Sequence, residues 1–385
     1  MKIIPYGRQY IDSRDVRLVS KSLKEDLITT GRYVKEFENK LSKFLKVKYA
    51  VSCSSGTSAL HLALMAINIK KNDVIIMPAI NFIAVYSMSK FMGAKIFLAD
   101  VDPLTGQMTP EELLKCINNN KIKKIKAIIT MYLGGHPENI VDFYHIKKKF
   151  KCYLIEDACH ALGGKYLYKK KYLYIGSCKH SDLATFSFHP VKTITTGEGG
   201  FVATNNRLLN ERLQEFRSHG IVRRNKAKYW NYDIKNLGFN YRLSDMNCAL
   251  GLSQLKKINK FINFRKSVYY YCRDRLKKFN NHITFPQYNS QNKPSFHLFL
   301  ISVNFSKIKS TKDKLFKFLK KNYIFAQYHY IPIYKFRVFD KKNLHFPNAE
   351  FYFNRSISLP IFFNYSRKQI NYVLFKVKEF FKKNR

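Results

Sequence analysis

Short apolar runs alternate with longer stretches of helical spacing from about residue 49 onward. A chain with this alternation folds into a mostly parallel sheet covered by helices, because each crossover helix packs back onto the sheet. The predicted strands are residues 50–52, 74–77, 96–98, 127–129, 153–155 and 183–188. The predicted helices between them include residues 57–67, residues 82–91 and one that Pro110 opens.

The pattern changes after residue 255. A basic, aromatic-rich helical stretch is followed by a polar loop, and then by strands and helices of an α+β type. These later elements are a helical stretch at 256–279, strands at 298–303 and 324–329, and helices at 312–320 and from Arg367. We therefore predict two domains, with an N-terminal segment and a large α/β domain in residues 1–255 and a smaller α+β domain in residues 256–385.

The formal net charge of +43 raises the question of nucleic-acid binding. The lysines are scattered along the whole chain, and the excess of Lys, Ile, Asn, Tyr and Phe is typical of an AT-rich genome. We therefore expect no nucleic-acid partner, although a basic surface favours acidic substrates such as nucleoside diphosphates.

Cysteine, histidine and hydrophobic spacing exclude several other classes. The seven cysteines form no CxxC pair and the eleven histidines no HExxH motif, so we expect reduced thiols and no metal site. No apolar run reaches the length of a membrane helix, and the first residues lack the apolar core of a signal peptide. We expect a soluble, cytoplasmic protein.

Lys192 lies in the stretch SFHPVKTITTGEGG (187–200), between the predicted strand at 183–188 and a glycine-punctuated turn. Pro190 ends the strand, because proline has no N–H to donate to a neighbour. In open α/β sheets ligands bind beyond the carboxyl ends of strands, and a lysine in a partly dry pocket can attack a carbonyl as a neutral amine. Lys192 is a candidate covalent catalyst. The alternative is an ordinary solvated lysine.

Other segments could complete a ligand site. Residues 54–58 (SSGTS) join a predicted strand to a helix, where N–H groups can bind a phosphate, or where the serines only cap the helix. Asp157 ends the strand in YLIEDACH, where a carboxylate can hold a pyridinium nitrogen protonated, or simply cap a helix. Phe82 can cover a ring. With Lys192, these groups supply what pyridoxal 5′-phosphate needs.

The chain resembles the DegT/DnrJ/EryC1/StrS family of nucleotide-sugar aminotransferases over nearly its whole length. The motifs that carry the resemblance are LITTG (27–31), SSGTSALHLAL (54–64), EDACHALGG (156–164), SFHPVKTITTGEGG, RSHGI (217–221), GFNYRLSDMNCALGLSQL (238–255), AQYHYIPIY (326–334) and SLP (358–360). The resemblance implies an α/β fold of fold-type I, with a large, mostly parallel-sheet domain that binds pyridoxal phosphate and a smaller C-terminal α+β domain.

The resemblance also implies roles for residues around the cofactor. Lys192 is expected to bind pyridoxal phosphate covalently and to move protons, and Asp157 to pair with the pyridine nitrogen. His160 is expected near the phenolic oxygen, and Phe82 on the ring. The residues expected at the phosphate are Gly56, Thr57, Ser187 and, from the partner subunit of a homodimer with shared sites, Asn240.

Further positions match those that contact the substrate in the family. They are Tyr6, Asp26, Leu27, Ile28, Thr29, Gln327, Tyr328, His329 and Tyr330. The implied reaction moves an amino group from glutamate to C4 of a UDP-linked 4-keto-6-deoxy-N-acetylhexosamine, because several motifs fit the branch that serves pseudaminic acid or related surface-glycan biosynthesis.

Three alternatives to that reaction are open. The first is C4 amination of a dTDP- or GDP-linked 4-keto-6-deoxyhexose for lipopolysaccharide. A sugar dehydratase of the same fold is disfavoured, because that class has histidine in place of Lys192. A catalytically inactive regulator or nucleic-acid-binding homologue is the most remote, because Lys192 and Asp157 are both present.

Overall fold

The computed structural model describes residues 3–222, 230–279, 281–339 and 344–384. The helices in these residues are α1 (Ser13–Ser22), α2 (Arg32–Leu45), α3 (Gly56–Ala66), α4 (Ile83–Phe91), α5 (Pro110–Asn119), α6 (Ile140–Phe150), α7 (Arg207–Arg217), α8 (Asp245–Leu255), α9 (Ile258–Leu276), α10 (Lys312–Lys321), α11 (Pro347–Arg355) and α12 (Arg367–Lys383). None of these helices is both long and apolar enough to cross a membrane.

Half of the fourteen strands in the described residues belong to one large sheet. The strands are β1 (Tyr49–Cys53), β2 (Val74–Pro78), β3 (Lys95–Ala99), β4 (Ala127–Met131), β5 (Tyr153–Asp157), β6 (Lys165–Tyr168), β7 (Lys171–Tyr174), β8 (Leu183–Ser187), β9 (Gly200–Thr204), β10 (Ile221–Val222), β11 (Asp233–Ile234), β12 (Ile283–Thr284), β13 (Phe299–Val303) and β14 (Ser356–Leu359). The large sheet has seven strands in the order β1-β9-β8-β5-β4-β2-β3.

Only β9 runs antiparallel to its neighbours in this sheet, β1 and β8. The pairs β2 with β3, β2 with β4, β4 with β5 and β5 with β8 are all parallel. The prediction of a mostly parallel sheet covered by helices is confirmed.

The parallel arrangement brings the ends of several strands to one edge of the sheet. Asp157 at the end of β5 is in register with Thr185 of β8, two residues before the end of that strand at Ser187. Pro78 ends β2, and the chain after β1 turns directly into α3. This carboxyl edge is where a ligand site is expected in an open α/β sheet.

Hydrophobic clusters cover both faces of the sheet, and a third lies in the C-terminal part. Ile76 and Ile128 belong to the first cluster, while Ile75 and Ile129 belong to the second, as the alternation of side chains along a strand requires. Helix α9 contributes Phe261 to the first cluster and the later residues of the same helix to the third. The domain boundary at residue 255 stays a prediction.

One predicted strand is wrong. Residues 324–329 form no regular strand, because their backbone groups pair with two different segments. Phe325 N donates to Ile4 O at 2.9 Å, whereas Gln327 N donates to Ser358 O at 3.1 Å. The apolar run has the composition of a strand, but no single neighbour runs beside it. Other elements were not predicted from the sequence, among them α1, α2, β9 and β14, the strand that pairs with β13.

Candidate active site

A cavity of about 450 Å³ opens at the carboxyl edge of the large sheet. Its wall takes side chains from the strand ends, from the start of α3 and from the segment after residue 326. The sequence-predicted residues that it brings together are Tyr6, Gly56, Thr57, Phe82, Asp157, His160, Ser187, Lys192, Gln327, Tyr328, His329 and Tyr330.

The first turn of α3 forms one wall of the cavity. Ser55 caps the helix by accepting from Ser58 N at 3.0 Å, and the hydroxyl of Ser58 accepts from Ser55 N at 2.8 Å in return. The N–H groups of Gly56 and Thr57 start the helix, where no carbonyl of the same helix can accept from them. Helix capping therefore does not exclude an anion site, because Ser55 caps the helix while Gly56 and Thr57, which carry the adjacent N–H groups, line the cavity.

Gly56 lets the end of β8 approach this helix closely. A Cβ atom at Gly56 would lie 2.8 Å from the Cβ of Ser187, which is closer than real Cβ contacts allow. The glycine thus places the Ser187 hydroxyl beside the start of α3. Backbone N–H groups and a hydroxyl converge there, which is a donor set suited to a phosphate.

Asp157 is 2% exposed at the end of β5. Burial raises the pKa of this carboxyl, whereas Cys159, Lys192 and Asn81 lower it. The backbone N–H of Cys159 donates to Asp157 Oδ1 at 3.3 Å. A buried carboxylate with few donors is stabilised in its ionised form by a positively charged group placed against it, and a protonated pyridine nitrogen is such a group.

Lys192 follows β8 in a turn in which its own N–H donates to His189 O at 2.9 Å. Its side chain lines the cavity. Burial lowers the pKa of the Lys192 ammonium, and the opposing effects of Cys159 and Asp157 are smaller. The neutral amine, which is the nucleophilic form, is therefore more available than in a solvated lysine.

His160 lies in a cluster of buried imidazoles. The ring centroids of His160 and His297 are 4.2 Å apart, and burial lowers the pKa of both well below the usual value. Tyr330 Oη lies 2.9 Å from His160 Nε2, so this tyrosine fixes the ring. His160 Nδ1 is buried without a hydrogen-bond partner in the described part of the chain.

Phe82 stands at the mouth of the cavity. Its ring is 52% exposed, and its centroid is 5.7 Å from that of Tyr330. The N–H of Phe82 donates to Asn81 Oδ1 at 2.7 Å, so the residue that holds Phe82 also approaches Asp157. An exposed ring of this size, anchored at its backbone, is available to stack on a planar ligand.

Pyridoxal phosphate fits the donors and acceptors of the cavity. The start of α3 and Ser187 suit its phosphate, the buried Asp157 suits its protonated nitrogen, and Lys192 suits its carbonyl. One buried polar atom, His160 Nδ1, lacks a partner among the described residues, as expected of an atom that serves a ligand.

Two groups of predicted residues lie outside this cavity. Asp26, Leu27, Ile28 and Thr29 are exposed and are absent from its wall. They are held against α8, because Asp245 N donates to Ile28 O at 3.0 Å and the Asp245 carboxylate accepts from Gly31 N at 2.7 Å. Asn240 is also exposed, next to Tyr241, whose carbonyl accepts from Ser54 N at 2.9 Å. A role for Asn240 in a partner's site stays a prediction.

Several residues of the wall were not predicted from the sequence. Among them are Asn81, His297 and Glu198, all of which line the cavity. Asn81 had a signal in the sequence, namely its position just after the end of β2, which resembles the position of Asp157 at the end of β5. His297 had none, since it precedes β13 in the C-terminal part and reaches the cavity only through the tertiary fold. In the described part of the chain, no group of three or more His, Cys, Asp or Glu side chains could hold a metal ion.

The comparison with known families decides among the candidate classes. Residues 9–378 match the DegT/DnrJ/EryC1/StrS aminotransferase family. The chain belongs to this family. The enzyme is therefore an aminotransferase, and pyridoxal phosphate is its cofactor. The predicted family, fold-type I architecture, enzyme class and cofactor are all confirmed.

Individual relatives match along the whole chain. One is the UDP-4-amino-4,6-dideoxy-N-acetyl-beta-L-altrosamine transaminase of Campylobacter jejuni subsp. jejuni serotype O:23/36 (strain 81-176), 36% identical over 99% of this chain and 99% of the relative. Another is the GDP-perosamine synthase of Escherichia coli O157:H7, 32% identical over 99% of each. Among solved structures, the aminotransferase PseC of Helicobacter pylori, described as involved in pseudoaminic acid biosynthesis, aligns with a TM-score of 0.88 at 29% identity, over 99% of this chain and 100% of that one.

Proposed function

We propose that this enzyme transfers an amino group from glutamate to C4 of a UDP-linked 4-keto-6-deoxy-N-acetylhexosamine. The observation that carries the reaction type is the meeting of Lys192, Asp157 and the first turn of α3 in one cavity. The substrate class is supported by the 36% identity to a transaminase named for a UDP-linked 4-amino-4,6-dideoxy sugar.

Pyridoxal phosphate, when bound, supplies a carbonyl for the amine and a protonated ring that withdraws electrons from the reacting carbon. Lys192 would hold the cofactor at its carbonyl through Nζ. When freed, the same Nζ would take the proton from the α-carbon of glutamate, and in the second half-reaction it would deliver a proton to C4 of the sugar. A positioned acid and base of this kind contributes about 10² to 10⁴ in rate.

The neighbouring residues would bind and orient the cofactor. Asp157 would keep the ring nitrogen protonated, because its ionised form needs a cation beside it in this buried position. Phe82 would pack on the ring, and His160, fixed by Tyr330, would donate toward the phenolic oxygen. Gly56, Thr57 and Ser187 would bind the phosphate.

The substrate enters over the rim of the same cavity. We place the sugar and its nucleotide against the lining residues Tyr6, Gln327, Tyr328, His329 and Tyr330. The exposed Asp26, Leu27, Ile28 and Thr29 and the partner subunit's Asn240 complete the site in a homodimer. Exposed apolar side chains support this assembly, because Leu237 is 86% exposed and Phe239 is 44% exposed in the segment that carries Asn240.

A second substrate class has its own support. The GDP-perosamine synthase relative matches the same length of chain at 32% identity, which favours a GDP-linked 4-keto-6-deoxyhexose as the alternative. The dTDP-linked sugars belong to the same alternative. All these candidates share the C4 ketone and the diphosphate and differ in the base and the sugar substituents.

A substrate panel separates these possibilities. The purified enzyme, loaded with pyridoxal phosphate, is incubated with glutamate and with UDP-, dTDP- and GDP-linked 4-keto-6-deoxy sugars, and the products are identified by mass spectrometry. We expect amination of the UDP-linked N-acetylated sugar with the highest kcat/KM. Turnover of a GDP- or dTDP-linked sugar alone would refute the substrate while leaving the reaction type intact, and replacing glutamate by other amino acids tests the donor.

A further inference from the structure

Arg265 is a buried cation behind the active-site cavity. It lies on α9, is 2% exposed and donates only to backbone carbonyls in the described part of the chain. Burial lowers the pKa of Arg265 to about 10, and no carboxylate among the described residues offsets that effect. A buried guanidinium without an acidic partner carries a large desolvation cost, so it needs a reason beyond the filling of space.

The carbonyls that Arg265 binds belong to three separate segments. Its Nη1 donates to His297 O at 3.1 Å and to Ile361 O at 3.0 Å, and its Nη2 reaches Val191 O at 3.5 Å. The planar guanidinium can donate in several fixed directions at once, which a lysine ammonium on a flexible stem does not reproduce.

Each of these segments carries a residue of the cavity wall. Val191 directly precedes Lys192. The imidazole of His297 packs against that of His160. The N–H of Ile361 donates to Tyr6 O at 3.0 Å, so the third segment holds the residue that lines the substrate side. Arg265 thus connects the nucleophile, the imidazole cluster and the substrate rim from behind.

We propose that Arg265 is a positioning residue for transamination, which holds the backbone at Val191, His297 and Ile361 so that Lys192 reaches the reacting carbon in both half-reactions. The proposal rests on the catalytic role proposed for Lys192. A displacement of about 1 Å at a reacting group can lower a rate by about 10²-fold, so a clamp on the residue before Lys192 has a measurable effect.

Two variants and a control test this role. Arg265→Met fills similar space without hydrogen bonds, and Arg265→Lys keeps the buried charge but loses the planar fork. The control is Arg273→Met, two turns further along α9, where the guanidinium packs on Phe285 at 5.7 Å and binds no segment of the cavity. Each apoenzyme is mixed with pyridoxal phosphate and the rate of cofactor binding is followed by absorbance. Single-turnover rates with glutamate are then measured per loaded site.

For Arg265→Met we expect cofactor binding to slow about tenfold and the single-turnover rate per loaded site to fall by about 10- to 100-fold, with little change in the KM for glutamate. Arg265→Lys should lie between this variant and the wild type, and Arg273→Met should match the wild type. If Arg265→Met lowers only the melting temperature, while both rates remain those of the wild type, the clamp is merely structural and the proposal fails.

Two further outcomes complete the test. If Arg265→Met does not fold, Arg265→Lys decides, and wild-type rates in a folded Arg265→Lys enzyme would overturn the proposal. Wild-type rates in both Arg265 variants, together with loss of activity in Lys192→Ala, would overturn this proposal but leave the proposed function intact. Activity that survives Lys192→Ala would instead remove the function on which the proposal rests.

Discussion

At the scale of single residues, burial disfavours the charged forms of both Lys192 and Asp157. It lowers the pKa of the lysine and raises the pKa of the carboxyl, so in the absence of a ligand both groups are biased toward their neutral forms. A ligand with a carbonyl and a basic ring nitrogen uses the neutral amine and restores the carboxylate charge. A cofactor of this chemistry would account for the placement of both groups in one cavity.

The pH dependence of cofactor capture follows from the lowered pKa of Lys192. Only the neutral amine attacks, so the rate at which the apoenzyme binds pyridoxal phosphate should rise with pH as this group loses its proton. Because the pKa lies below the ordinary 10.5, the midpoint of the rise should lie below 10.5. Stopped-flow absorbance over a pH series measures it, and a midpoint at or above the ordinary value would contradict the buried environment.

Replacing Asp157 by Asn should change the stability of the apoprotein and the rate of transamination in opposite directions. The raised pKa means that the apoprotein loses stability as pH rises from 3.8 through the folded pKa, because the native state holds the proton more tightly there. The Asp157→Asn apoprotein should therefore melt at a higher temperature than the wild type at neutral pH. Transamination should fall by at least about 10²-fold, because the ring nitrogen loses its charge partner.

Two measurements check the Asp157→Asn prediction, namely a thermal melt of the apoprotein and the rate of a single half-reaction with glutamate. A variant with normal transamination would show that Asp157 does not pair with the ring.

The neighbouring Glu156 is a useful contrast. It points to the other face of the sheet, where it accepts from Tyr132 Oη at 2.8 Å and binds Ser181. Adjacent acids in a strand therefore have unrelated roles.

At the scale of elements, we propose that the start of α3 and the end of β8 form one phosphate site, because the missing side chain of Gly56 lets them approach closely. Gly56→Ala would put a Cβ atom 2.8 Å from that of Ser187 and force the helix and strand apart. We expect the dissociation constant for pyridoxal phosphate to rise by about tenfold or more, because the donors no longer converge on one phosphate. Titration of the apoenzyme by absorbance or fluorescence measures the constant.

The matched control for this prediction is Ala66→Gly at the other end of α3. Ala66 is fully buried but remote from the cavity wall, and Ala to Gly in a helix costs about 1 kcal/mol. This variant should melt at a lower temperature and bind the cofactor normally. Equal losses of cofactor affinity in both variants would show that helix stability, rather than the close approach at Gly56, controls binding.

Local elements were predictable where the sequence pattern is strictly local. The strand ends at Pro78 and Asp157 and the helix after Gly56 follow from proline chemistry, alternation and capping. Residues 324–329 were mispredicted because pairing with two distant segments is a property of the tertiary fold. The positions of His297 and Arg265 beside the cavity could not be predicted from the sequence for the same reason, since neither residue lies at a strand end of the large sheet.

At the scale of the whole molecule, we propose that a second copy of the chain completes the site. Asn240 is outside the cavity of its own subunit, and the segment around it exposes Leu237 and Phe239. Exposed apolar side chains of this kind indicate a protein contact. A homodimer with shared sites would place the partner's Asn240 at the phosphate.

Mixing two inactive variants tests the shared site. If each site takes Lys192 from one subunit and Asn240 from the other, a heterodimer of Lys192→Ala and Asn240→Asp has one site with both defects and one site with neither. If sites are shared, unfolding and refolding an equal mixture should restore about a quarter of wild-type activity, because half of the dimers are mixed and each has one intact site. If each subunit uses its own Asn240, every site keeps one defect and no activity returns. The separate variants, refolded alone, are the controls.

The central claim is that Lys192 holds pyridoxal phosphate, and its most direct test combines absorbance with chemical trapping. The wild type and Lys192→Ala are incubated with pyridoxal phosphate, reduced with borohydride, digested and analysed by mass spectrometry. We predict a cofactor absorbance band in the wild type and a phosphopyridoxyl group on the peptide that contains Lys192, with both absent from Lys192→Ala. A wild type that cannot be loaded, or a label on another lysine at equal yield in both proteins, would contradict the claim.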